Sequence, residues 1–164
     1  MIGRKKEQAQ LLDAFKSEYS EFVAVYGRRR VGKTFLIRET FNYTFAFQHA
    51  GVKLGGKEVQ LDRFRVSLVE QGHVECPELK SWFDAFDQLK VLVKKSPDER
   101  KVIFLDEVPW MGRSDASFIS AVDKRSFLEE SKCANRPADR SQGRHHQSLR
   151  NEALGGSVCD DGGG

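Results

Sequence analysis

Eight residues, Gly27-Arg28-Arg29-Arg30-Val31-Gly32-Lys33-Thr34, set two glycines, a lysine and a hydroxyl at the spacing G-x-x-x-x-G-K-[ST]. Each type answers a need of anion chemistry. Glycines let the backbone curl until successive N–H groups point inward, and a helix starting at the lysine adds its positive N-terminal end. The Lys33 ammonium can then reach the β- and γ-phosphates of a nucleoside triphosphate, and the Thr34 hydroxyl can take a coordination position on Mg²⁺. The flanks suit the loop. Phe22-Val23-Ala24-Val25-Tyr26 predicts an apolar strand before it, and Lys33 to about Phe41 predicts a helix after it.

A second group lies downstream. Lys101-Val102-Ile103-Phe104-Leu105-Asp106-Glu107 is a short apolar run closed by two acids. Its unbroken apolar character predicts a parallel-sheet strand buried on both faces, with the acids at the carboxyl end, where open α/β sheets bind ligands. Asp106 is placed to hold Mg²⁺, directly or through water. Glu107 points elsewhere and could accept a proton from a water attacking the γ-phosphate.

Gly27 to Thr34 and Phe104 to Glu107 together resemble the Walker A and Walker B motifs of a P-loop ATPase, of the branch with a catalytic glutamate. Ile2-Gly3-Arg4 and the helix-like stretch through Glu7, Leu11, Leu12 and Phe15 resemble the opening segment of AAA+-type ATPases. Gly-Arg-Arg-Arg-Val-Gly-Lys-Thr with Phe-Leu-Asp-Glu-Val-Pro-Trp-Met is similar to a prokaryotic, archaeal-type AAA-family ATPase. The resemblance spans roughly residues 1–122. It implies a P-loop NTPase fold, three layers α/β/α around a parallel sheet, with ATP and Mg²⁺ as cofactors. It also implies that residues 27–34 bind nucleotide, that Lys33 acts on phosphate and Glu107 on water, and that Thr34 and Asp106 serve the metal. Ile2 to Arg4 would lie near the adenine.

The elements that must position these residues follow from periodicity. Lys5 to roughly Ser17 predicts an opening helix, Tyr43 to His49 a second strand, and Val59 to Val69 a helix with Arg65 snorkelling. Leu79, Trp82, Phe83, Phe86, Leu89 and Val93 recur at helical spacing through Leu79 to Lys95, a stripe that reads as core. Pro109 ends the acidic strand, and Asp115 to about Val122 predicts a last helix.

The character then changes. Residues 125–164 hold sixteen Arg, Ser and Gly but only five Leu, Ile, Val and Phe, with no sustained period. Such a stretch buries too little apolar surface to offset its ordering entropy. The domain reading is therefore a partial ATPase domain over 1–122 and a polar, disordered tail over 123–164. ATPases of this kind continue past the acids with a strand carrying a polar sensor residue and then a helical lid, in a sheet usually ordered 5-1-4-3-2. A reading frame lost near residues 123–125 accounts for the difference, and the other two frames of the encoding DNA test it.

Composition sets the partners. No run approaches eighteen apolar residues, and Arg4, Lys5 and Lys6 are followed by no apolar signal core, which predicts a cytoplasmic chain with no membrane span. The net charge of +3 is too small to argue for nucleic acid by itself, and Arg28 to Arg30 lie inside the phosphate loop. Cys76, Cys133 and Cys159 are isolated, and His73 with Cys76 lacks a second ligand pair. The expected activity is Mg-dependent ATP binding, with hydrolysis driving conformational work in an intact relative. The alternative is a truncated, non-catalytic remnant that binds nucleotide weakly or acts through self-association or a protein partner. Without the sensor strand, turnover is expected to be negligible.

Overall fold

The computed structural model describes residues 4–28 and 30–123. The remainder, including Ile2, Gly3, Arg29 and the polar tail from 124 onward, lie outside the described residues. Helices dominate and a small parallel sheet accompanies them. The described residues fall into two compact units, 4–43 and 44–123.

The first unit is built on two helices, α1 (Lys5–Lys16) and α2 (Lys33–Thr40). They pack through Leu11 and Leu36, the buried apolar residues of the pair, and an edge-to-face contact of Phe15 with Phe41 at 5.6 Å. Both helices match their expected positions. The segment between them does not. Phe22 to Tyr26 forms no strand; Phe22 is 61% and Tyr26 54% exposed. A strand exists only through ladder hydrogen bonds to a neighbour, and among the described residues no neighbour pairs with this run.

The second unit has a strand–helix–helix–strand core. Strand β1 (Phe47–Ala50) leads to α3 (Lys57–Glu70) and α4 (Trp82–Lys95), then to β2 (Ile103–Asp106), α5 (Val108–Ser114) and α6 (Ser117–Asp123). The strands are parallel, with Phe47 opposite Ile103 and Ala50 opposite Asp106. Strand β1 begins four residues later than Tyr43 because the chain is still leaving α2. Asn42 and Tyr43 are left-handed (φ 48° and 58°), and the Tyr43 N–H donates to the Arg38 carbonyl.

The aromatic stripe of α4 is core, as its spacing implies. Trp82 is fully buried, edge-on to Phe64 at 5.6 Å and to Phe118 at 4.8 Å. Phe83 is the exception and lies 37% exposed. Ser81 caps α4 by accepting from the Asp84 N–H at 3.1 Å; such caps contribute about 1 kcal/mol. Arg65 does more than snorkel: its Nε donates to the Cys76 and Pro77 carbonyls, each at 3.0 Å.

Candidate functional site

The glycine-bracketed loop Gly27 to Thr34 lies in the first unit. Gly27 has φ 151° and Gly32 φ 75°, and Gly32 is the residue on which α2 begins. Both are conformations that side chains resist, so the two glycines stand where the curl requires them. Arg30 adopts φ 63° between them and is exposed. Helix α2 closes with the Leu36 N–H on the Gly32 carbonyl at 2.9 Å. The Lys33 side chain folds back over the loop, its Nζ donating to the Gly27 carbonyl at 3.0 Å and the Arg28 carbonyl at 2.9 Å. An ammonium has three donors, so this geometry places the charge above the loop with one N–H still to give. Gly27, Arg28, Arg30, Val31, Gly32, Lys33 and Thr34 thus form one contiguous turn and helix start; Arg29 lies outside the described residues.

The acidic pair lies in the second unit. Asp106 is the last residue of β2 and is half-buried; Glu107 is exposed. The Asp106 Oδ1 accepts from the Glu107 N–H at 2.9 Å, which fixes the carboxylate at the strand end. Glu107 itself is left-handed, φ 51°, and its carbonyl accepts from the Trp110 N–H at 3.0 Å to open α5. Left-handed backbone costs a non-glycine residue roughly 1–2 kcal/mol. Strain of this kind, held by its surroundings, concentrates at functional turns.

What holds the turn comes from the other strand. The Gly51 N–H donates to the Asp106 carbonyl at 3.0 Å, extending the ladder one step. A Cβ on Gly51 would stand 2.7 Å from the Glu107 carbonyl oxygen and 3.1 Å from the Met111 side chain. Only glycine permits that approach. Gln60, fully buried on α3, completes the clamp: its Oε1 accepts from the Val52 N–H at 2.9 Å. Its Nε2 donates to the Val52, Gly55 and Trp110 carbonyls at 2.6, 3.2 and 3.4 Å. Sequence reasoning missed Gln60, since a lone Gln inside an amphipathic helix carries no local signal.

Beside this clamp, His49 on β1 lies against Phe47 and Phe64. The Ser67 Oγ donates to the Arg63 carbonyl and so accepts from His49 Nδ1–H at 2.9 Å, leaving Nε2 buried without a partner among the described residues. Burial pushes the His49 pKa down to about 4, so the ring is neutral at pH 7. No group of three or more His, Cys, Asp or Glu that could hold a metal occurs among the described residues. Magnesium that arrives with a nucleotide asks for less: one or two protein oxygens, with phosphate and water completing the shell. No described helix is long and apolar enough to cross a membrane. No family model, curated protein or solved structure matches the chain.

Proposed function

We propose that the chain binds a magnesium nucleoside triphosphate, ATP by its resemblance to AAA+-type P-loop ATPases, through the loop Gly27 to Thr34. The observation that carries the reading is the Lys33 ammonium, drawn over its own loop by the Gly27 and Arg28 carbonyls, above a helix that starts on a left-handed glycine. Phosphate oxygens accept from Lys33 and from the loop amides, and the Thr34 hydroxyl ligates the metal. Arg28 and Arg30 add charge that draws the anion in. Asp106 is assigned to the metal and Glu107 to the attacking water; their support is the sequence pattern and their place at the carboxyl end of a parallel strand. The parallel pair of strands with helices around it supports the finer reading as well, a partial three-layer α/β/α P-loop NTPase.

Binding without turnover is the form of this activity that the fold favours. The run ahead of the loop, Phe22 to Tyr26, forms no strand that would hold the loop in place. Hydrolysis needs its groups in register, and a 1 Å misplacement can cost about a hundredfold. Calorimetric titration of Mg-ATP into wild type and Lys33→Ala tests the reading. Losing a charge-assisted hydrogen bond should weaken binding by about tenfold or more. Equal heats from the two proteins, or none from wild type, would overturn it. Phosphate release from wild type should match that of Glu107→Gln.

A further inference from the structure

We propose that β2 is completed by a second copy of this chain, the two copies pairing antiparallel along their free β2 edges to make one continuous four-stranded sheet. Strand β2 has the composition of a central strand. Val102, Ile103, Phe104 and Leu105 are apolar without interruption, a pattern that belongs to strands covered on both faces and paired on both edges. Its position is an edge: β1 lies on one side and, among the described residues, no strand lies on the other.

The ladder shows which groups face outward. The Val102 and Asp106 carbonyls accept from the β1 side, from the Ala46 and Gly51 N–H groups. Backbone groups alternate along a strand, so the N–H and C=O of Ile103 and Leu105 point away from β1. Edge strands are normally guarded by a lysine, proline or bulge within the strand. Strand β2, Ile103–Asp106, holds none of these, and its single charge, Asp106, stands at its last position.

Charge selects the direction and the occupant. Arg100 and Lys101 stand at the start of β2, Asp106 and Glu107 at its end. Parallel pairing of two copies would set like charges side by side. Antiparallel pairing sets the basic start of each copy beside the acidic end of the other, and its two-fold symmetry closes the assembly at a dimer. The register that places Ile103 opposite Leu105 of the second copy satisfies all four outward groups of those residues on each strand. It also brings Lys101 of each copy to Glu107 of the other.

Sedimentation velocity on the full chain tests this, at loadings from about 10 µM to about 1 mM, because interfaces under ~1,200 Å² are weak. Wild type should pass from monomer to dimer across the series. Lys101→Glu should weaken association by about tenfold, and Lys101→Glu combined with Glu107→Lys should restore it, since opposed like charges repel and swapped ones attract. Near-ultraviolet circular dichroism of buried Trp82 reports that each variant is folded. A monomer at every loading, or a dimer indifferent to both charge variants, would overturn the proposal.

Discussion

The unit that carries the glycine-bracketed loop and the unit that carries the acids are stabilised very differently. Residues 44–123 enclose an aromatic and aliphatic core running from Phe47 through Phe64, Trp82 and Phe86 to Phe118. Residues 4–43 bury Leu11 and Leu36 and leave Tyr19, Phe22, Tyr26, Phe35 and Tyr43 more than half exposed. Burial of apolar surface is the dominant favourable term in folding, so the acidic turn rests on the larger core. The loop rests on one helix pair. The lesson is that local motif geometry and the packing that would sustain it are separable: the loop keeps its glycine conformations where the surrounding core is thin.

The sharpest way to break this contrast is to hollow the second unit. Trp82→Ala removes a fully buried ring from contact with Phe64, Phe86 and Phe118 and should cost about 4 kcal/mol. Denaturant unfolding followed by far-ultraviolet circular dichroism should lose most of its cooperative transition. An effect below about 1 kcal/mol, the size of an ordinary surface change, would mean that the cluster is not the scaffold.

Acid offers a milder route to the same unit. The folded pKa of His49, about 4, lies below its unfolded value near 6.5, so the neutral ring favours the folded state. Above pH 6.5 this contribution is fully present; it is lost as pH falls from 6.5 through 4, a total loss of about 3 kcal/mol. His49→Leu should flatten stability between pH 6.5 and 4, read from urea midpoints across that range.

Gln60→Ala sharpens the contrast at the clamp. Four hydrogen bonds are lost, and the carbonyls of Val52, Gly55 and Trp110 lose a donor, at about 3 kcal/mol. Gln60→Glu keeps the shape but replaces the amide donors, and should fare no better. The proposed nucleotide site tests the other unit. Mg-ATP should slow hydrogen exchange of amides 27–40 by about tenfold, the shift produced by ligand at roughly ten times its Kd, while amides 57–95 stay unchanged. Last and smallest, Glu107→Gly removes the left-handed penalty and should raise stability by about 1 kcal/mol or leave it level, measured by thermal midpoint.

Much of this architecture was legible from the residues. Helices α1 to α4 and strand β2 lie close to their expected positions because 3.6-residue spacing and an apolar run bounded by charge are local signals. Gly27 and Gly32 both take positive φ, a conformation glycine tolerates. Three features were not legible. Phe22 to Tyr26 has strand composition, but pairing depends on a neighbour far away in the chain, which composition cannot supply. Helix α5 follows Glu107 at once, with Pro109 in its first turn where no N–H is needed; Pro109 read alone marks only the end of β2. The division after residue 43 falls at two consecutive left-handed residues, Asn42 and Tyr43, which neither composition nor period announces.

The close approach of Gly51 to the Glu107 carbonyl reaches further than its size suggests. A single methyl group grafted onto that glycine would act as a wedge, prising the strand tips apart just where the acids sit. The aim of a carboxylate is therefore governed by a residue that bears no functional group and lies 56 positions earlier in the chain. Anyone redesigning this turn has to treat a bare hydrogen atom as part of its chemistry.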